Sequence, residues 1–348
     1  MKKILCTGLI LITFCLNFSC SKSNSPTQSP IKTHPVDTPV TIAKGADVSW
    51  VTEMEAKGIK FYDKTGTQKD LFVLLKSLGF NSIRLRAWVN PTDGYCNTAD
   101  LLTKAIRAQK QGFKIMIDFH YSDYWADPGK QTKPAAWASL DFVTLTATLH
   151  DYTKSVMSTL KDNGIAPTWV QIGNETNDGM LWEEGRASKS MANFAALIKN
   201  GYAAVKEVSP ATKVIIHISN GYDNGLFRWM FDGLKANGAK WDIIGMSLYP
   251  SKTNWSTLDA QCFTNMNDMV GRYSTPVMVV EVGMEAGAPA ESKAFLSDII
   301  SKVKSVDSGS GLGVFYWEPE SYNNWQGYAL GAFDTTGKPT NALDAFAD

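Results

Sequence analysis

Two glutamates follow short apolar runs in this chain, and their chemistry depends on whether the fold brings them together. Trp169-Val170-Gln171-Ile172-Gly173 leads into Asn174-Glu175, and Val277-Met278-Val279-Val280 leads into Glu281. A buried strand that finishes in a carboxylate sets that group at the rim of a cavity. Two such carboxyls flanking one bond can divide the work of glycosidic cleavage. One protonates the leaving oxygen, and the other captures or stabilises the cationic sugar carbon. That division needs one carboxyl protonated and one ionised near neutral pH. Glu175 is expected to be the acid. The loop Gly179-Met180-Leu181-Trp182 could desolvate it, and His217 could hydrogen-bond it and tune its pKa. Glu281 is expected to be the nucleophile, kept charged and aimed by Arg86 and Tyr249. Asn174 is placed to donate to a sugar 2-hydroxyl, and Trp317 to form the floor under the ring at the cleaved bond.

The elements that must hold these groups repeat along the chain. Apolar runs lie at 42–48, 82–88, 114–119, 169–172, 213–218, 243–248, 277–281 and 313–317. Most are continuous in Val and Ile rather than alternating, as strands buried on both faces should be. Helical spacing falls between them, at 69–78, 100–111, 140–163, 191–208, 226–236, 259–273 and 290–303. Gly79, Gly112, Gly164 and Gly238 fit C-cap positions. Eight strand–helix repeats predict a single α/β domain, a (β/α)8 barrel over 42–348. A doubly wound sheet would want a Gly-rich phosphate loop after its first strand, and Gly45-Ala46-Asp47-Val48-Ser49-Trp50 is not one.

In such a barrel the chemistry sits at the C-terminal strand ends. In chain order those ends carry Asp47; Arg84 and Arg86; Asp118, His120 and Tyr121; Asn174 and Glu175; His217; Tyr249; Glu281; and Trp317 with Glu318. Any one of these could be a satisfied core polar residue, but the whole set reads as a catalytic mouth. Asp47, Arg86, His120, Trp125 and Tyr249 are assigned with Asn174 and Trp317 to sugar contacts, and Asp118 and His217 to support.

Lys plus Arg and Asp plus Glu balance at 34 each, so no basic field exists to hold nucleic acid. Eleven Trp, 12 Tyr and 16 Phe leave aromatics to spare for a sugar-binding groove. Trp88, Trp125, Trp182, Trp255, Trp317 and Trp325 stand beside polar or Gly-rich stretches, where packing at loop bases is the competing reading. Four histidines, at 34, 120, 150 and 217, have no metal-ligand spacing, and no cofactor or metal is implied.

Residues 1–20 form an address, with Lys2 and Lys3 before the apolar stretch 4–18 and a small residue before Cys20. That core is short for a membrane span. It resembles a bacterial lipobox, which would lipidate Cys20, with plain secretory cleavage as the alternative. Residues 21–41 are rich in Ser, Thr, Pro and Lys and read as a disordered tether. The expectation is a secreted monomer anchored by its lipid to the bacterial outer membrane. Cys6 and Cys15 leave with the signal, and whether Cys96 and Cys262 pair stays open.

Several stretches together resemble a known family. They are Gly45-Ala46-Asp47-Val48-Ser49, the run 82–91 (SIRLRAWVNP), the run 118–131 (DFHYSDYWADPGKQ) and Gln171-Ile172-Gly173-Asn174-Glu175. Ser247-Leu248-Tyr249-Pro250 and Tyr316-Trp317-Glu318-Pro319 agree with them. Over roughly 42–345 the chain resembles glycoside hydrolase family 53, the arabinogalactan endo-β-1,4-galactanases, within the clan of retaining (β/α)8 glycosidases. The resemblance implies internal cleavage of β-1,4-galactan in type I arabinogalactan of pectin, with Glu175 as proton donor and Glu281 as nucleophile. Galactan and its oligosaccharides would be the partners. It also implies a non-proline cis bond at Trp317–Glu318. Some bacterial members hold calcium in a long loop after strand 7. Here 282–290 is short and lacks the acidic, His- and Asn-rich run, so no calcium is expected there, and fewer sugar subsites on that side.

Two other readings compete. A same-fold hydrolase of mannan, xylan or cellulose would share the carboxylates, which read the bond and not the sugar. A non-catalytic glycan-binding surface lipoprotein would need the aromatics but not both glutamates.

Overall fold

The computed structural model describes Met1 and residues 41–347, and those from 41 onward belong to one folding unit, Val40–Asp348. The expected export signal beyond Met1, Cys20 and nearly all of the expected 21–41 tether lie outside the described residues. Eight strands follow the apolar runs closely: β1 (Ala43–Asp47), β2 (Ser82–Ala87), β3 (Lys114–Phe119), β4 (Trp169–Ile172), β5 (Lys213–Ile218), β6 (Ile243–Leu248), β7 (Val277–Val282) and β8 (Gly311–Trp317). All pair in parallel, each with its sequence neighbours, and β1 closes the barrel by pairing with both β2 and β8.

The continuous Val/Ile runs are explained by what lies on either side. On β5, Val214, Ile216 and Ile218 pack outward with the helices, while Ile215 joins a separate cluster inside the barrel. That inner cluster is Ala43, Met116, Trp169, Ile215, Ile243, Met278, Val280 and Phe315. It fills the barrel below the polar strand ends. Gly45 is required there, because a Cβ on it would stand 2.0 Å from the Phe315 ring.

The helices are α1 (Val51–Ala56), α2 (Leu71–Ser77), α3 (Thr98–Lys110), α4 (Phe142–Asp162), α5 (Met191–Val208), α6 (Asn224–Ala236), α7 (Trp255–Tyr273) and α8 (Pro289–Lys304). Each of the longer ones turns an apolar stripe to the barrel. On α4 it is Leu145, Leu149, Val156, Met157 and Leu160, and burial of each large apolar side chain contributes about 1.5–3 kcal/mol. Side-chain caps start several of them: Asp70, Asn97, Asp141, Ser190 and Asp223 each accept from backbone N–H groups of the first turn. Gly79, Gly112, Gly164 and Gly238 follow helix ends with positive φ, as their positions predict.

Two departures from eight even repeats occur. Between β1 and β2 the chain forms α1, a two-stranded ribbon (Phe61–Tyr62 with Gln68–Lys69) and then α2. After β8 no α-helix follows among the described residues. A 3-10 segment, Asn341–Phe346, closes the chain, and Phe346 stacks on Phe80 at 4.3 Å between ring centroids. The stack anchors the terminal segment just ahead of β2.

Candidate active site

Glu175 and Glu281 reach the barrel mouth by different local devices. Beyond β4, Gly173 turns with φ 86°, and a Cβ there would come within 2.5 Å of Thr176 Cγ2. Glu175 itself has φ 43°, a left-handed backbone that costs a non-glycine residue roughly 1–2 kcal/mol. Glu281 lies within β7, where the ladder slips. Met246 opposes Val279, but Ser247 opposes Glu281; Val314 opposes Val279, but Tyr316 opposes Val282. The extra residue is a β-bulge. It lets Glu281 follow Val280 onto the inner face, although strand periodicity sends adjacent side chains to opposite faces.

The outcome is a close carboxyl pair. An oxygen of Glu175, an oxygen of Glu281 and a ring nitrogen of His217 all lie within 4.8 Å of one another. Burial raises both carboxyls well above the usual carboxylate range, so near neutrality they hold one proton between them. The donors decide which carboxyl holds it. Glu281 Oε1 lies 2.7 Å from Arg84 Nη2, and its Oε2 accepts from the Tyr249 hydroxyl at 2.8 Å. Among the described residues, Glu175 Oε1 accepts only from the Ser247 hydroxyl, at 2.7 Å, with no cation in hydrogen-bond contact. A guanidinium and a phenol favour the anion more than one serine does, so the proton resides on Glu175.

Arg84 is the hub of the mouth. Its guanidinium is buried, donates to Asp47 Oδ2 (2.6 Å), Asn174 Oδ1 (3.0 Å) and Gln171 Oε1 (2.7 Å), and lies 2.9 Å from Asp118 Oδ2. This corrects the assignment of Arg86 to Glu281. Arg86 pairs with the buried Glu318 at 3.2 Å and stacks on Trp125 at 4.1 Å. Adjacent arginines i and i+2 share the inner face, and only the depth in the barrel separates their partners.

Asp47, expected to contact sugar, is not in the cleft lining, which does include Arg86. Asp47 is fully buried, holding Arg84 and accepting from Ser49 N and Oγ. Asp118 supports as expected, accepting from Gln171 Nε2 at 3.1 Å and lying 2.9 Å from His120 Nε2. His120 lines the cleft, but Ala126 N donates to its Nδ1 at 3.1 Å, so both ring nitrogens are committed. Asn174 donates one amide hydrogen to Ala126 O at 2.8 Å, which leaves the other for a ligand. His217 meets the Glu175 backbone N–H at 3.3 Å, but it reaches that carboxyl only through Ser247, correcting the direct hydrogen bond expected. Its nitrogens are occupied by these partners, which argues against a metal on the Glu175–His217–Glu281 group. The loop expected to cover Glu175 does not line the cleft, and its Met180 packs against Gly173.

A cleft of about 580 Å³ opens over the carboxyls, lined by Trp50, Trp88, Tyr124, Trp125, Trp317 and Tyr328 among others. Trp317 is wedged edge-on between Trp50 (5.1 Å) and Tyr328 (4.6 Å), which fixes its plane. Trp182, Trp255 and Trp325 are not in the lining, while Trp50, unmarked in the sequence, is. The one cis bond among the described residues is Trp182–Glu183, so the cis expectation at Trp317–Glu318 is wrong. Glu318 instead takes φ 47° and donates its N–H to Asp47 O at 3.0 Å, extending the β8–β1 ladder with a trans bond.

Residues 283–288 join β7 to α8 and hold one carboxylate, Glu285, whose Oε2 accepts from Lys252 N. One carboxylate does not fit a calcium cage of six to eight oxygens. Cys96 and Cys262 are both buried and unpaired. None of the described helices is long and apolar enough to cross a membrane.

Against known proteins, the sequence profile of Glycosyl hydrolase family 53 matches residues 43–292 and 285–346, two segments that overlap from the connection after β7 into the start of α8. An uncharacterized protein from the bgaB 5′ region of Niallia circulans is 38% identical over 344 residues, covering 86% of this chain and 92% of its own. An arabinogalactan endo-β-1,4-galactanase of Thermothelomyces thermophilus is 34% identical, covering 81% and 90%. A solved fungal β-1,4-galactanase superposes with a TM-score of 0.82 at 31% identity, covering 88% of this chain and 99% of that one.

Proposed function

The chain belongs to glycosyl hydrolase family 53, and on that premise we propose that it is an endo-β-1,4-galactanase that works by double displacement with retention. The observation that carries the mechanism is the carboxyl separation. Oxygens within 4.8 Å fit a retaining pair, about 5–5.5 Å between carboxyls, and leave no room for the interposed water of an inverting enzyme.

In the first step Glu175 gives its proton to the glycosidic oxygen, and an ionised oxygen of Glu281 attacks the anomeric carbon. The C–O bond breaks and a galactosyl ester forms on Glu281. In the second step Glu175, now a carboxylate, takes a proton from water. The water oxygen attacks the same carbon, displaces Glu281 and restores both starting states. Arg84 and Tyr249 hold Glu281 as an anion, and the free Asn174 amide hydrogen meets the 2-hydroxyl. Trp317 lies under the sugar ring, with Trp125 beside it.

Galactan is preferred over mannan, xylan and cellulose because relatives above 30% identity that are named for an activity are galactanases, whereas the xylanases of the same fold are 13–15% identical. The short connection after β7 leaves fewer sugar sites on that flank; products consisting only of long oligosaccharides would argue against this. The sequence of residues 1–20 supports export with a lipid on Cys20.

The test is parallel digestion of linear β-1,4-galactan, mannan, xylan and cellulose, with product anomers followed by NMR. Galactan should be cut internally, and the β-anomer should appear first. Cleavage of another polymer in its place, or the α-anomer first, would reject the reading.

A further inference from the structure

We infer that Ser247 is a positioning residue for the acid, fixing which oxygen of Glu175 carries the catalytic proton. The inference rests on the retaining assignment above and concerns a group outside the cleft. Ser247 is 1% exposed and is not among the residues lining the cavity. It sits on β6 beside the bulge, directly opposite Glu281 in the ladder, with its hydroxyl toward Glu175.

The hydrogen directions in this network can be worked out from its fixed end. Arg84 Nε donates to Gln171 Oε1 at 2.7 Å, so the Gln171 amide nitrogen is the group facing Asp118 Oδ1 (3.1 Å) and His217 Nδ1 (2.9 Å). The Glu175 backbone N–H also points at His217 Nδ1, at 3.3 Å. Two donors meet Nδ1. The single acceptor near it, Asn174 Oδ1 at 3.0 Å, is already served by Arg84. His217 Nδ1 is therefore the lone-pair nitrogen, and Nε2 carries the ring hydrogen. Burial depresses His217 well below its ordinary pKa, in keeping with a neutral ring.

His217 Nε2–H then donates to Ser247 Oγ at 2.7 Å, and the one Ser247 hydrogen goes to Glu175 Oε1 at 2.7 Å. Oε1 is held as an acceptor, so the acid proton belongs on Oε2. The chain Gln171–His217–Ser247–Glu175 thus gives the acid a defined proton position as well as a fixed side-chain orientation.

Loss of the Ser247 donor should raise the pKa of Glu175, because a hydrogen bond to the charged form is removed. The other groups acting on Glu175 remain in such a variant. They are Arg84 on β2, Asp118 on β3, Asp127 in the loop after it, His217 on β5, Tyr249 after β6 and Glu281 on β7.

The experiment measures kcat and KM on galactan against pH for the wild type, Ser247→Ala and Ser247→Cys. Ser247→Ala should move the basic limb of kcat/KM upward by about one pH unit. It should lower kcat roughly tenfold and leave KM within about twofold, because Ser247 touches no sugar. Ser247→Cys, nearly the same size with a weaker donor, should shift the limb in the same direction by less, and it carries the test if the alanine variant does not fold. An unmoved basic limb in a folded variant, or a loss confined to KM, would overturn the role of Ser247. Retention by the wild type on galactan, measured alongside, tests the underlying mechanism separately.

Discussion

Arg84 Nη2 lies 2.7 Å from Glu281 Oε1, and the same guanidinium holds Asp47, Asn174 and Gln171 and abuts Asp118. One buried cation therefore sets the charge of Glu281 and the positions of the groups around it.

Removing that cation should leave three buried carboxylates facing one another. Breaking a buried pair from one side typically costs about 3–5 kcal/mol. Arg84→Met is expected to lose at least that much in urea unfolding. Arg86→Met, which releases the single carboxylate of Glu318, should lose clearly less. Equal losses would mean that Arg84 is not the hub.

The two glutamates should fail in different ways. Glu281→Gln should reduce kcat on the order of 10⁴-fold or more while oligosaccharide affinity, read by calorimetry, stays near wild type. Glu175→Ala should lose about 10²–10⁴-fold on galactan, and far less on an aryl galactoside whose leaving group needs no proton. Azide should accelerate that variant and give a β-galactosyl azide. An α-azide, or a Glu281→Gln enzyme with unchanged turnover, would reverse the assignments.

The pH profile follows from the shared proton. Activity needs Glu175 protonated and Glu281 ionised. Two protons leave the pair across about 7 to 8, so under the proposed mechanism kcat/KM should peak in that range and fall about tenfold per pH unit on either side, above it as Glu175 loses its proton and below it as Glu281 gains one. A profile flat to pH 10 would contradict the burial that raises these groups.

Away from the cleft, Asp259 on α7 is fully buried beside Asp298 on α8, and burial followed by that neighbour pushes it up to about 9. Its folded pKa exceeds the unfolded value near 4, so its stability contribution is complete below about 4 and is lost as pH rises toward 9. Asp259→Asn should flatten that slope and raise the melting temperature at pH 8 by a few degrees. A lower melting temperature at pH 8 would show that the carboxyl has a partner the amide cannot replace.

Much of the fold is legible in the residues alone. Runs of Val and Ile buried on both faces, helical stripes closed by glycine, and the repeat count together specify a parallel barrel, and every strand falls within about two residues of its run. The interruptions are less visible. The short ribbon before α2 and the terminal 3-10 segment are held by contacts such as Phe346 on Phe80, distant in sequence, and carry little local signal.

The site divides in the same way. Residue type and position at a strand end were sufficient to select Glu175, Glu281, Asn174, Tyr249 and Trp317, because a carboxylate or amide after an apolar run has few places to go but the mouth. Sequence could not choose between Arg84 and Arg86, which share a face and differ only in how deep in the barrel they meet a partner. Nor could it find Ser247, an ordinary residue in a strand until His217 and Glu175 are brought to either side of it. The orientation of Glu281 was decided by tertiary structure too. Strict alternation after the inward Val280 would turn it out toward the helices, and only the extra residue in the β7 ladder turns it inward to meet Glu175.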